Sequence, residues 1–183
     1  MTTPTATVIL TEIGLRLANI TVANGYHNTV KSVDRARLKP FKGYDLPAVN
    51  YWSTGMQNER TVYNDDNRTL SVFIEIHSMT RDLPFVDVAN SLASDVVTAV
   101  VRKDTAPQVS DAPDYNLTDT VDDLILRNIS FIIGEGQEPW CGALIEFEVK
   151  YRCEPFVMDG NDPIVATSQD LTITTNDTVV SVS

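Results

Sequence analysis

The sequence predicts an α+β domain, with two main helices packed on a mixed, mostly antiparallel sheet of about five strands. Three observations predict it. Apolar residues recur at helical spacing near the N-terminus and again in residues 82–103, and period-2 alternation fills much of the remaining chain. The last two alternating stretches follow one another across a Gly-containing break, so they should pair antiparallel.

The elements follow in order. Ile9, Ile13, Leu17 and Ile20 mark one face of a helix over residues 5–23, and Asn24-Gly25 supplies the residue types that tolerate the left-handed backbone of a helix stop. Residues 29–38 then alternate as a strand. A loop rich in breakers (Pro40, Gly43, Pro47) leads to a second strand over residues 48–54, and Asn64-Asp65-Asp66-Asn67 reads as a turn. The cleanest alternation sets Leu70, Val72, Ile74 and Ile76 against Ser71, Phe73, Glu75 and His77, as in a core strand with one wetter face.

Between residues 82 and 103 the period changes: Phe85, Val88, Ala89, Leu92, Val96, Ala99 and Val100 share one helical face. Pro84 suits its first turn, and Asp87 and Arg102-Lys103 match the macrodipole at either end. A polar stretch, residues 104–123, leads to the final pair. There Ile125, Arg127, Ile129, Phe131 and Ile133 are expected on one side of a strand, and Ala143, Ile145, Phe147, Val149 and Tyr151 on one side of its partner. Residues 1–157 thus form the expected domain. Residues 158–183 turn to Asp, Asn, Thr, Ser and Val, a composition that suits an extended arm ordering only against a neighbour.

A chain of 183 residues with 43% hydrophobic and 21% charged residues is long enough for one sizeable core. No apolar run approaches the roughly 18 residues that span a bilayer, so no membrane partner is expected. The N-terminus lacks the positive charge of a secretory signal, and Cys141 and Cys153 lie too far apart along one strand to bridge. Two isolated thiols without metal-ligand spacing fit a reducing compartment, and neither a cofactor nor a metal is expected.

The net charge of −11 is unevenly spread. Residues 1–103 carry 11 basic and 10 acidic side chains, and residues 104–183 carry 3 and 15. That balance argues against tight nucleic-acid binding, because phosphate contacts need clustered Lys and Arg. It permits a surface that DNA passes without sticking.

Signals of chemistry are sparse. His27 and His77 sit in no metal or triad spacing, no nucleophile elbow occurs, and Asp159-Gly160-Asn161-Asp162 departs from the calcium-loop order. A metal-assisted hydrolase using His77 and nearby carboxylates is the enzymatic alternative. The stronger pattern is electrostatic. Lys31, Arg35, Arg37 and Lys39 would share one face of a strand with Val33, as either a charge-blunted edge or a docking stripe. The acidic half of another copy, including Glu146 and Glu148, would be the matching surface in a head-to-tail contact. Glu135, Glu138 and Trp140 lie in the hairpin loop between the last two strands.

A helix ending in the Asn24-Gly25-Tyr26 turn, a basic strand, a long central helix and a final hairpin closing on residues 144–152 resemble the tail terminator (tail completion) proteins of long-tailed bacteriophages. The resemblance covers residues 6–156 as an order of elements. It implies a structural virion protein of the viral tail, assembled in the host cytoplasm, and no enzyme. Such a protein forms a homo-oligomeric ring, usually a hexamer, that caps the tail tube, ends its polymerisation and offers the head-to-tail joining surface. The implied partners are the tail-tube protein and a head-side connector or neck protein. DNA would pass without specific binding, past loop carboxylates such as Glu135 and Glu138 and beside Trp140. A tail-tube subunit or head completion protein is the nearest alternative.

Overall fold

The computed structural model describes residues 5–60, 66–79, 84–102, 113–117, 119–134 and 140–153. Its elements run α1 (Thr5–Ala18), β1 (Ser32–Arg35), β2 (Ala48–Arg60), β3 (Asp66–Met79), α2 (Phe85–Val101), β4 (Asp123–Gly134) and β5 (Trp140–Cys153). The five strands form one sheet in the order β1-β2-β3-β5-β4. β1 and β2 are parallel and the other three pairs antiparallel, so the fold is the mixed α+β arrangement that the alternation predicts.

One face of the sheet carries the core. Leu70, Val72, Ile74 and Ile76 of β3 and Ala143, Ile145, Phe147, Val149 and Tyr151 of β5 are all buried there, flanked by Val49 and Tyr51 of β2. Against them pack Ile9, Leu10, Ile13 and Leu17 of α1 and Leu92, Val96, Ala99 and Val100 of α2. Burying each large aliphatic side chain contributes about 1.5–3 kcal/mol, which makes this single layer the main source of stability. Gly14 lets α1 approach closely. A Cβ there would overlap the Tyr51 hydroxyl.

Three expectations are revised. The first helix ends at Ala18, several residues early. The β-branched run Ile20-Thr21-Val22 disfavours helix, and Thr21 caps a separate 3-10 turn, Val22–Asn24, by accepting a hydrogen bond from Asn24 N–H at 3.2 Å. Gly25, at φ 86°, closes that turn rather than the α-helix. Tyr26 follows it into the core.

The second revision concerns β4. The register slips between Leu126 and Asn128, so Leu126 lies opposite Phe147 and Ile129 opposite Ile145. A bulge at Arg127 therefore moves Ile125 to the face opposite Ile129 and Phe131. The expected single row from Ile125 to Ile133 does not form. The third revision is length: β2 continues to Arg60, with a register shift between Ser53 and Gly55. The expected turn at residues 64–67 lies partly outside the described residues, and Asp66 and Asn67 belong to β3.

Two buried polar side chains join the helices to the rest. Asp95 of α2 accepts hydrogen bonds from the backbone N–H of His27 (3.1 Å) and of Asn28 (2.8 Å), and from the Asn28 amide (2.8 Å). Arg16 of α1 donates to the carbonyls of Val100 (3.0 Å) and Arg102 (3.2 Å), satisfying the end of α2. The His27-Asn28 bend, beyond the 3-10 turn, and Arg102, the residue after α2, are thereby fixed by the opposite helix.

Candidate interaction surfaces

The second sheet face is built from the alternate residues of the same strands, and no helix packs on it among the described residues. Its register brings together rows across the sheet. Asp34, Asn50, Glu75, Leu144 and Ser130 form one; Trp52, Phe73, Glu146 and Asn128 form the next; Ser71, Glu148 and Ile125 follow. Trp52 and Phe73 stack with centroids 6.0 Å apart and an interplanar angle of 18°. This face is mixed in character. Half-buried aromatic and aliphatic side chains alternate with carboxylates, a composition suited to contact rather than to full hydration.

The connection between β1 and β2 folds over one end of that face. Ala36, at φ 54°, ends β1 in a left-handed turn. Asn50 then replaces a strand partner: its Oδ1 accepts from Arg37 N–H at 2.8 Å, and its Nδ2 donates to the Arg37 carbonyl at 3.2 Å. Arg37 holds the loop from within. It donates to Asp34 Oδ2 (2.6 Å) and to the carbonyls of Lys39 (2.9 Å) and Pro40 (3.4 Å), with its guanidinium 4.4 Å from the Phe41 ring centre.

The expected basic stripe is corrected by this geometry. β1 spans only Ser32–Arg35, so Lys31 precedes it and Arg37 and Lys39 follow it beyond the turn. Val33 and Arg35 do share the helix-bearing side, opposite Val49 and Tyr51. Arg37 belongs to the loop's own bonding. Lys31, Arg35 and Lys39 are exposed and form no ion pair among the described residues. Leu38, between Arg37 and Lys39, is 98% exposed, and Tyr44, 71% exposed, has the Lys42 ammonium 5.5 Å from its ring centre.

The acidic candidates lie elsewhere. Glu146 is half-buried between Phe73 and Asn128, and Glu148 accepts two hydrogen bonds from Arg127, at 2.9 and 2.7 Å. Both sit on β5, three strand spacings or about 14 Å from β1. The basic and acidic sets are not brought together within one chain. Glu135 and Glu138 lie outside the described residues. Trp140 opens β5.

Trp140 lines a pocket of about 410 Å³ with Pro40, Phe41, Gly43, Leu46, His77, Ser78 and Met79. The His77 ring lies between Phe41 (5.3 Å) and Trp140 (6.0 Å), with Nε2 3.2 Å from Glu75 Oε2. Sequence patterning gave no sign of this pocket, because Phe41 reaches His77 only through the folded loop. Phe73 was legible as a large residue on the wetter side of its strand, and Trp52, within the strand expected over residues 48–54, was not singled out. Among the described residues, no three His, Cys, Asp or Glu side chains gather as metal ligands would.

Burial pushes the Cys141 thiol up from its ordinary range, which disfavours the thiolate needed for nucleophilic or metal chemistry. Burial likewise raises Tyr51, with the Arg35 charge opposing part of the shift. These are the signatures of packed groups. No known protein family matches this chain, and no curated protein matches it significantly.

Proposed function

We propose that the protein is a structural component of a bacteriophage tail, one that assembles with itself into a ring capping the tail tube. The ring would end tube polymerisation and provide the joining surface for the filled head. The observation that carries this reading is the separation of charge along the sheet, with three cations unpaired among the described residues at one end and Glu146 and the Arg127-bonded Glu148 toward the other. Exposed Lys31, Arg35 and Lys39 stand at the β1 end of the sheet and the carboxylates of Glu146 and Glu148 toward the β4 end. A contact between two copies would bring the free cations of one to the acidic end of the next, about 14 Å away on a single chain, and a head-to-tail contact closes into a ring when its rotation permits.

The order of elements supports the same reading. An N-terminal helix, a Gly25 turn, a short strand with basic residues around it, a central helix and a last hairpin follow the order of elements by which the sequence resembles tail terminators. A hexamer, a tail-tube partner, a head-side connector, a virion location and DNA passage through the lumen all belong to this proposal. So does a lumenal or tube-facing role for the loop around Glu135, Glu138 and Trp140.

Native mass spectrometry and electron microscopy of the purified chain test it. Discrete rings are expected. Long tubes from this chain alone would make it a tube subunit, and a monomer at all concentrations would overturn the assembly reading. The metal-dependent hydrolase alternative predicts stoichiometric bound metal, which elemental analysis measures directly.

A further inference from the structure

The two edges of the sheet are built differently. β1 is four residues long, preceded by Lys31 and ending in Arg35, the short charged edge by which sheets avoid unwanted pairing. β4 is twelve residues long, pairs only with β5 among the described residues, and carries charge only at Asp123 and Arg127. Its helix-side residues Leu126 and Phe131 remain 41% and 45% exposed. A long apolar edge of this kind is a template for another strand.

The chain holds one segment of matching chemistry. Residues 158–183 contain four aspartates and no Lys or Arg, and they include the alternating runs Leu171-Thr172-Ile173-Thr174 and Val180-Ser181-Val182-Ser183. Alternation places Leu171 and Ile173 on one side of a strand, where they would extend the apolar layer over Leu126 and Phe131. At about 3.3 Å per residue the segment is also long enough to follow all of β4.

Chain direction favours a second copy as its source. β5 ends at Cys153, beside the start of β4, where residues 119–122 also enter and Asp122 N–H donates to the Lys150 carbonyl at 2.8 Å. A direct return along the same molecule's β4 would run parallel to it and would cross that entering segment, and an antiparallel one would first need residues 154–170 to pass the full length of β4. Crossing connections at one end of a sheet are avoided, and this half of the sheet is otherwise antiparallel. An arm from a second molecule has neither restriction.

We infer that the free edge of β4 is the docking site for residues 158–183 of a neighbouring copy, which add as an antiparallel sixth strand. This rests on the self-assembly proposed above. It adds an exchanged arm to the electrostatic contact, so each subunit would hold the next by backbone hydrogen bonds as well as by charge.

Amide hydrogen exchange across β4, read beside native mass spectrometry, tests it in the full-length chain and in a Leu171→Lys/Ile173→Lys variant. In the wild-type oligomer, the outward amides of β4 should be protected, and the variant should lose at least tenfold of that protection while β3 and β5 are unchanged. Protection that persists at concentrations giving only monomer would overturn the inference in favour of the chain's own arm. An oligomer whose β4 amides are indifferent to the variant would overturn it while leaving self-assembly standing. No oligomer at all would remove both.

Discussion

Arg16 and Asp114, 98 positions apart in sequence, meet at 2.7 Å between Nη2 and Oδ2. Both side chains are largely buried, and the same guanidinium holds Glu12 and the last carbonyls of α2. One side chain thus ties the first helix to the end of the second and to the segment that leads into β4. Removing one partner of a buried pair costs about 3–5 kcal/mol, because the other charge stays desolvated. Arg16→Met should lower stability by that order in urea titrations, and Asp114→Asn by less. A change below about 1 kcal/mol for Arg16→Met would show the network to be unimportant.

Gly14 and Tyr51 form a second dependency. The hydroxyl of Tyr51 occupies the space a side chain at position 14 would need. Gly14→Ala should destabilise by about 1–3 kcal/mol, as overpacking does. Combining it with Tyr51→Leu should recover part of the loss, and additive effects in a double-mutant cycle would show that the contact is not the cause.

Asp95 carries the turn after α1. Asp95→Ala leaves the His27 and Asn28 amides without their acceptor, at a cost of about 3 kcal/mol, since bonds to a charged acceptor are worth about 1.5–3 kcal/mol each. Exchange of those two amides should accelerate more than exchange in β3.

Tyr26 sets an alkaline limit. Burial, and then the nearby Asp95 charge, raise its pKa above the ordinary value of 10.0. A raised folded-state pKa means that the unfolded chain loses its proton first as pH rises. The contribution is therefore complete below the unfolded pKa and is lost as pH climbs through the folded one. Stability should fall above about pH 10, and Tyr26→Phe should flatten that fall in pH-dependent melts.

The cations divide into two groups that charge reversal should separate. Arg35→Glu/Lys39→Glu should weaken oligomerisation at low salt and leave the melting temperature within a few degrees of wild type, because neither residue has an ion-pair partner among the described residues. Arg37→Glu should instead loosen the loop over the sheet, since it faces Asp34 and loses the Phe41 contact. Unchanged assembly in the first variant would return Arg35 and Lys39 to an ordinary blunted edge.

Much of the fold was legible because burial imposes a period. The β3 and β5 rows and the inner face of α2 stand in the sequence as alternation and as three-four spacing. Arg127 was misread because a bulge inserts a residue without changing the residue types around it. Arg37 was misread for a related reason. Continuous alternation through residues 29–38 hides the left-handed Ala36, so a loop anchor looked like a member of a stripe. The His77 pocket left no local signal, since its walls come from a loop and two strands far apart in the chain.

By itself, then, the sequence determined the number and type of the elements, the buried face of each central strand and the uneven distribution of charge. These depend on local periodicity and composition, which are properties of short stretches. Tertiary structure alone decided which cations stay free, which edge of the sheet is long and apolar, and where basic and acidic groups stand relative to each other. Those outcomes depend on strand order, on register and on what a folded loop can reach, and pairwise geometry between distant residues has no period to read.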